Sequence, residues 1–212
     1  MQIAFLLYDR FTALDAVGPY EVLSRLPGAE VVFTAARPGP VLTDSGSLSL
    51  TADLPLSEVT SPDILIVPGG PGTAAQLTDR AVLDWIRAVD ANTAWTTSVC
   101  SGSLLLAAAG LLQDRRATSH WICLDDLAGL GAVPTDERVV FDGKYATAAG
   151  VSAGIDLAFH LAGRLAGDAV AQAIQLVVEY DPQPPYHAGS TATAPAELVA
   201  ALRANGLAVT AV

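Results

Sequence analysis

Short apolar runs alternate with helix-spaced segments along the chain, as in a parallel α/β domain. Strands are predicted at residues 3–8, 30–35, 63–67, 94–99, 139–141 and 145–148, and helices at 11–26, 80–91, 101–112, 121–130, 152–165 and 168–180. The uniformly apolar run at 63–67 is typical of a strand buried on both faces of its sheet. Turn residues at 44–46 and 142–143 predict two hairpins. We therefore expect an α/β fold, a three-layer α/β/α sandwich with a mostly parallel sheet.

The last part of the chain has a different pattern. We expect residues 1–186 to form one α/β domain and residues 187–212 to form a C-terminal tail with a short helix at 196–204. The sequence Pro184-Pro185-Tyr186 joins rigid backbone to an aromatic ring. This pairing suggests that the tail packs on the domain or on a partner subunit.

Composition adds limits on function. The chain has 212 residues, of which 51% are hydrophobic and 16% charged, so it can build a core and is not a disordered chain. Its 11 basic and 22 acidic residues give a net charge of −11. Because the basic residues are scattered, we expect neither nucleic acid nor a membrane as partner.

No targeting signal is expected from the sequence. No stretch of about 18 uncharged apolar residues predicts a membrane span, and the apolar N-terminus lacks the basic leader of a signal peptide. Two cysteines at this length do not make a disulfide framework. We therefore expect a cytoplasmic, reducing environment.

The junction between the strand at 94–99 and the next helix is the strongest chemical signal. Cys100 lies at that junction, and Ser101-Gly102-Ser103 are small enough for a sharp turn. This arrangement resembles a nucleophile elbow, in which the helix N-terminus lowers the pKa of a thiol. The alternative is a packed cysteine, which is the interpretation we favour for Cys123 in its apolar helical context.

The sequence Val-Pro-Gly-Gly-Pro-Gly, residues 67–72, follows a buried strand. Its glycines, Gly70 and Gly72 among them, allow backbone N–H groups to face a ligand as in an oxyanion hole. It matches neither a phosphate-binding loop nor a dinucleotide-binding fingerprint. A tight turn is the simpler explanation.

Asp15 lies early in the first predicted helix, at the same sheet edge as Cys100. It can serve as a helix N-terminal charge or as a general acid and base whose pKa is raised by burial and by a nearby thiolate.

The histidines provide a weaker signal. His120 follows Cys100 by 20 residues and could approach the thiolate, but no carboxylate partner is evident for a triad. We interpret His160 as structural and place His187 in the tail. No cluster of ligands has metal-binding spacing, so no metal is expected.

Taken together, several segments resemble the ThiJ/PfpI superfamily, the class I glutamine amidotransferase-like proteins, over residues 1–186. Within it, the isonitrile hydratase branch is the most similar. The matching segments are LDAVGPYEV at 14–22, VPGGPG at 67–72, SVCSGS at 98–103, AAGLL at 108–112, ATSHW at 117–121, SAGID at 152–156 and YDPQPPY at 180–186.

The resemblance implies a flavodoxin-like sheet, a nucleophilic Cys100 and an acid–base role for Asp15. It places Gly70 on the oxyanion side and Val151 beside the cysteine. Ser101 stands where the hydratases carry Thr, which keeps a hydroxyl but removes a methyl group. The implied activity is hydration of an isonitrile to an N-substituted formamide, with no cofactor, in a homodimer.

Two other functions remain open from the sequence. One is another cysteine activity of the same fold, glyoxalase-like or amidase-like. The other is a ligand-sensing module related to the N-terminal domains of AraC-type regulators, which share many of the same motifs.

Overall fold

Strands and helices alternate through residues 1–207, the part of the chain that the computed structural model describes. The strands are Gln2–Leu6 (β1), Glu30–Ala35 (β2), Gly39–Leu42 (β3), Ser49–Ala52 (β4), Leu54–Pro55 (β5), Ile64–Val67 (β6), Trp95–Val99 (β7), Arg116–Ala117 (β8), Val133–Pro134 (β9), Val139–Asp142 (β10) and Tyr145–Ala148 (β11). The helices are Ala13–Leu23 (α1), Thr73–Gln76 (α2), Arg80–Asp90 (α3), Gly102–Ala108 (α4), Leu124–Gly129 (α5), Ala153–Ala166 (α6), Asp168–Val177 (α7) and Ala196–Ala204 (α8).

Seven of these strands form one sheet in the order β10-β11-β7-β6-β1-β2-β5. Every neighbouring pair is parallel except β10 with β11. The central order β2-β1-β6-β7-β11 is the flavodoxin-like arrangement, so the predicted fold class is confirmed. Because parallel strands end at the same edge, the residues that follow β1, β6 and β7 are brought together there.

The core explains why β6 and most of β1 are uniformly apolar. Residues Ile64–Val67 of β6 are completely buried, as are residues 3–6 of β1. Helices cover the sheet: α1 packs with α6, and α3 packs with α4. Strands covered on both faces have no polar face, as the run at 63–67 indicated.

Both predicted hairpins are confirmed. Strands β10 and β11 pair antiparallel with Asp142 opposite Tyr145, and Gly143 in the turn has a φ of 63°. Strands β3 and β4 form a second antiparallel pair around the turn at 44–46.

Several predicted helices are shorter in the structure, among them α1, which ends at Leu23, and α7, which ends at Val177. Helix α4 ends at Ala108 and not at Leu112. Gly110 takes a φ of 81°, and a glycine in this left-handed conformation commonly terminates a helix. The segment predicted as a helix at 121–130 is a 3₁₀ turn, Trp121–Cys123, followed by α5. The short elements α2, β5, β8 and β9 were not predicted, since two to four residues carry too little periodicity.

The described residues fall into two compact units. The first comprises Met1–Val178 and holds the seven-stranded sheet, and the second begins at Glu179 and contains α8. The first unit thus ends before the boundary expected at residue 186. Residues 208–212 of the predicted tail lie outside the described residues, and its packing stays a prediction. Within residues 1–207, no helix is long and apolar enough to span a bilayer.

Candidate active site at the carboxyl edge of the sheet

Cys100 occupies a strained turn between β7 and α4. Its φ is 58°, a left-handed conformation that non-glycine residues rarely adopt. Its backbone N–H donates to the carbonyl oxygens of Ala148 and Ala149 at 3.1 and 3.0 Å. A Cβ on Gly102 would lie 2.1 Å from the Val67 carbonyl oxygen, so only glycine fits there. The predicted elbow is therefore present, and close packing against the end of β6 explains its small residues.

The glycine loop after β6 packs tightly against the turns that follow β1 and β7. A Cβ on Gly69 would lie 2.4 Å from the Ser101 backbone nitrogen, and one on Gly72 would lie 1.9 Å from the Asp9 carbonyl oxygen. These glycines thus allow three backbone segments to meet at one point.

The N–H groups of this loop already have protein acceptors. Gly70 donates to Ser101 Oγ at 3.0 Å, and Gly72 donates to the Arg10 carbonyl oxygen at 3.1 Å. The oxyanion role predicted for Gly70 and Gly72 would require these bonds to break. Close approach of backbones is the role that the geometry supports for both glycines.

Asp15 lies directly beside Cys100, as the shared sheet edge predicted. It is 0% exposed, and its Oδ2 accepts the Gly69 N–H at 2.8 Å. Its Oδ1 has no hydrogen-bond partner among the described residues, and the carboxyl group lies near enough to the Cys100 side chain for each group to shift the pKa of the other. The thiol and the carboxyl group are therefore neighbours in the buried site.

Burial dominates the proton affinity of both groups. It raises the pKa of Asp15 to about 7, against the lowering effects of the Gly69 N–H and the Cys100 side chain, while Asp44 adds a smaller increase. Burial also raises the pKa of the Cys100 thiol well above its ordinary value, and the negative charge of Asp15 raises it further. Backbone N–H groups of Val151 and Ser101 oppose this rise.

The sequence predicted that the helix N-terminus lowers the pKa of the Cys100 thiol, whereas burial raises that pKa in the folded protein. At neutral pH the sulfur keeps its proton, and Asp15 is the adjacent group that can take it. The pair titrates as a coupled unit.

Val151 lies where the resemblance placed it, beside the cysteine. Its backbone N–H donates to Cys100, and its φ of 37° is unusual for a β-branched residue. Strain at Val151 thus accompanies strain at Cys100, as is typical of functional sites.

His120 lies close to this backbone but does not form a triad. A Cβ on Gly150 would lie 2.6 Å from His120 Cδ2, so the imidazole packs on the segment that precedes Val151. Its Nδ1 accepts the Ile122 N–H at 3.4 Å, and burial lowers its pKa. A neutral ring with an accepting Nδ1 cannot be oriented by an aspartate in the way a triad requires.

Sequence reasoning missed three hydroxyl groups of the site. Tyr8 OH donates to the Pro68 carbonyl oxygen at 2.6 Å and lies 2.9 Å from Thr73 Oγ1, which in turn lies 2.9 Å from Ser101 Oγ. Ser119 Oγ donates to the Cys100 carbonyl oxygen at 3.1 Å. Tyr8 ends a predicted strand and Thr73 follows the glycine loop, so their positions at this edge were available as a signal.

The second cysteine, Cys123, lies near enough to Cys100 to add a small increase to the pKa of its thiol. Cys123 is half-buried at the start of α5, and burial raises its pKa to about 11. His160 packs edge-on against Phe141 with 5.9 Å between ring centroids, and His187 lies in the second unit. Within residues 1–207, no group of three or more His, Cys, Asp or Glu residues is placed to hold a metal ion.

Known proteins are similar to this chain in sequence and in fold. Residues 1–163 match the model of the DJ-1/PfpI family. The chain is 44% identical over 199 residues to an isonitrile hydratase of Pseudomonas putida, which covers 94% of this chain and 87% of the relative. A crystal structure of a ThiJ/PfpI family protein from Pseudomonas syringae matches with a TM-score of 0.93 and 42% identity, covering 96% of this chain and 85% of the other.

A transcriptional regulator is also similar. The HTH-type regulator CdhR of Pseudomonas aeruginosa is 34% identical over 158 residues, which is 70% of this chain. The match spans only 46% of the length of that regulator.

Proposed function

This chain belongs to the DJ-1/PfpI family, and from that membership we propose that it hydrates an isonitrile to an N-substituted formamide through a covalent intermediate on Cys100. The observation that carries the proposal is the burial of the Cys100 thiol beside the Asp15 carboxyl group, near enough for each to shift the pKa of the other. The similarity to an isonitrile hydratase over nearly the whole chain supports the choice of substrate.

The first step joins the thiol to the isonitrile. The Cys100 sulfur attacks the terminal carbon of R–N≡C, and Asp15 takes the thiol proton and delivers it to that same carbon. The product is a thioimidate, R–N=CH–S, on the enzyme. A carboxyl group with a pKa of about 7 exchanges protons readily at neutral pH, which suits this transfer.

The second step hydrolyses the thioimidate. Water adds to the carbon with help from the Asp15 carboxylate, and the nitrogen gains a proton. The tetrahedral adduct then expels the sulfur, which recovers the proton of the adduct hydroxyl, and R–NH–CHO is released. Backbone N–H groups of Val151 and Ser101 face the sulfur and stabilise negative charge on it as it leaves.

A direct assay tests the proposal. Loss of the isonitrile infrared band and formation of the formamide, measured by chromatography with cyclohexyl isonitrile, should be fast with the wild-type protein and absent with Cys100→Ala. Intact-mass detection of an adduct on Cys100 would identify the covalent intermediate. If the wild-type protein binds the isonitrile but forms neither adduct nor formamide, the proposal fails.

A ligand-sensing role is the second candidate, because the similarity to CdhR extends over 70% of this chain. A sensor would bind a small molecule without turnover. Parallel assays with methylglyoxal and with a simple amide address the remaining alternative, a glyoxalase-like or amidase-like activity at Cys100.

Three proposals on context follow from the sequence, the first of them from the resemblance. We propose that the protein is a homodimer, that it acts in the cytoplasm, and that the tail from residue 187 packs on the domain or on the partner subunit. Light scattering measures the first, cell fractionation the second and limited proteolysis of the native protein the third.

A further inference from the structure

We propose that Tyr8 and Thr73 are positioning residues. Through the side chain of Ser101 they fix the positions of Cys100 and Asp15 relative to each other. This inference rests on the proposed function and deepens it. Its basis is a continuous chain of hydrogen bonds between buried hydroxyl groups, which links the ends of three strands around the cysteine. Tyr8 follows β1, Thr73 opens α2 after the loop that follows β6, and Ser101 follows Cys100 at the end of β7.

The groups at the two ends of this series of hydrogen bonds fix the direction of every bond within it. The Pro68 carbonyl oxygen can only accept, so Tyr8 donates to it at 2.6 Å. Thr73 must then donate to Tyr8, and Ser101 must donate to Thr73, each at 2.9 Å. At the other end the Gly70 N–H can only donate, and it donates to Ser101 Oγ at 3.0 Å. The Gly70 carbonyl oxygen lies 3.5 Å from Ser101 Oγ, beyond the usual range for hydroxyl donors.

Three consecutive residues of the glycine loop are thereby tied to the site. Pro68 accepts from Tyr8, Gly69 donates to Asp15 at 2.8 Å, and Gly70 donates to Ser101. The backbone N–H of Ser101 also faces the Cys100 sulfur. The glycine loop therefore connects Asp15 to Ser101, the residue that follows the nucleophile. The hydroxyl chain therefore sets the distance between the carboxyl group and the thiol.

A serine needs this support more than a threonine would. The unbranched Cβ of serine leaves three staggered positions open to the hydroxyl, whereas a β-branched side chain is restricted. Without Thr73 to accept its proton, Ser101 Oγ could turn away from Gly70 and release the loop.

The test removes single hydroxyl groups from the chain. Tyr8→Phe and Thr73→Val should each lower kcat by about 3- to 10-fold, the effect of losing one modest hydrogen bond that orients reacting groups, with KM within about twofold of wild type. Thr73→Ser, which keeps the hydroxyl, should restore kcat. In a Ser101→Ala background Tyr8→Phe should have a smaller effect than in wild type, because the link through Ser101 is already cut and only the hydrogen bond from Tyr8 to Pro68 is left to lose.

A readout without substrate separates this proposal from the proposed function. The groups near the Cys100 sulfur include Asp15, Tyr8 and Cys123, and Asp44 acts on Asp15. The Ser101 N–H lowers the pKa of the thiol, so its displacement in Tyr8→Phe and Thr73→Val should raise that pKa and slow Cys100 alkylation near pH 8 by about threefold. Alkylation is measured on the Cys100 peptide by mass spectrometry.

Matched control variants lie at the opposite edge of the sheet. Tyr145→Phe and Thr93→Val are substitutions of the same types, and they remove hydroxyl groups from a buried network around Asp90. They should leave kcat and Cys100 alkylation unchanged. If Tyr8→Phe and Thr73→Val behave like these controls in both measurements, the proposal is overturned.

Two further outcomes have separate meanings. Equal effects of Tyr8→Phe in the wild-type and Ser101→Ala backgrounds would overturn the role of Ser101 as the link. A wild-type protein inactive on isonitriles would overturn the proposed function, while the alkylation rates would still decide on the positioning role.

Discussion

Two buried aspartates at opposite edges of the same sheet have opposite surroundings. Asp90, 7% exposed near the amino ends of the parallel strands, forms an ion pair with Lys144 at 3.2 Å and accepts two hydroxyl hydrogen bonds. Asp15, 0% exposed at the carboxyl ends, accepts the Gly69 N–H and lies beside the Cys100 thiol. One carboxylate is matched by a cation, whereas the other is left beside a group that exchanges protons.

The difference shows how one residue type serves structure at one edge and chemistry at the other. A carboxylate that is paired with a cation and has its hydrogen bonds satisfied rigidifies the fold around it. A buried carboxylate without a cation has a raised pKa, which for Asp15 reaches about 7. Proton transfer at neutral pH is therefore possible at the carboxyl edge, because no cation balances the charge of Asp15 among the described residues there.

Removal of the nucleophile should give the largest effect. We expect Cys100→Ala to reduce isonitrile turnover to background, because no covalent intermediate can form, and Cys123→Ala to leave turnover unchanged. Formamide formation measured by chromatography checks both variants. Substantial turnover by Cys100→Ala would show that another group acts as the nucleophile.

The aspartates themselves provide the sharpest test of the comparison. Asp15→Asn should lower kcat by about 10²- to 10⁴-fold, since Asn cannot exchange a proton. Asp90→Asn should leave kcat near that of wild type. Alkylation of Cys100 should be no slower in Asp15→Asn than in wild type, because loss of the Asp15 charge lowers the pKa of the thiol. If both variants lose activity equally, the assignment of chemistry to the edge with Asp15 and of structure to the edge with Asp90 is wrong.

The pH dependence of the reaction should follow Asp15. The first step needs the carboxylate form, so kcat/KM should decline below pH about 7, by about tenfold for each further pH unit. This acid limb should disappear in Asp15→Asn and persist in Asp90→Asn. A midpoint near pH 4 in the wild-type protein would show that Asp15 does not control the reaction.

Stability should change in opposite directions at the two edges. The folded-state pKa of Asp15 is raised, so its stabilising contribution is complete below the ordinary carboxyl pKa and is lost as the pH rises through about 7. Asp15→Asn avoids that loss and should increase the free energy of unfolding at pH 8, relative to wild type, by about 1 kcal/mol. Asp90→Asn should decrease it by about 1 kcal/mol or more, because Lys144 loses its partner.

Denaturant unfolding at pH 5 and pH 8 measures these differences. The gain for Asp15→Asn should be smaller at pH 5, where the wild-type carboxyl group is protonated. A gain that is the same at both values would mean that the Asp15 charge does not destabilise the folded state.

The sequence by itself determined the order of strands and helices and the edge at which the chemistry lies. Uniform apolar runs predicted buried parallel strands, and parallel strands bring their carboxyl ends together whatever their separation along the chain. Cys100 in its elbow and Asp15 at the start of α1 were therefore placed on one edge before any coordinates were known. Gly110 was also visible in the sequence, although helical spacing up to Leu112 hid its role as a stop signal.

Only the tertiary structure decided how those residues interact. Asp15 and Gly69 are 54 positions apart, so the N–H that holds the carboxyl group, and the burial that raises its pKa, come from distant parts of the chain. The same holds for the hydroxyl chain from Tyr8 to Ser101. Hydrogen-bond partners and exposure to water are properties of packed atoms, and periodicity along the chain specifies which face is buried without specifying which polar atoms meet there.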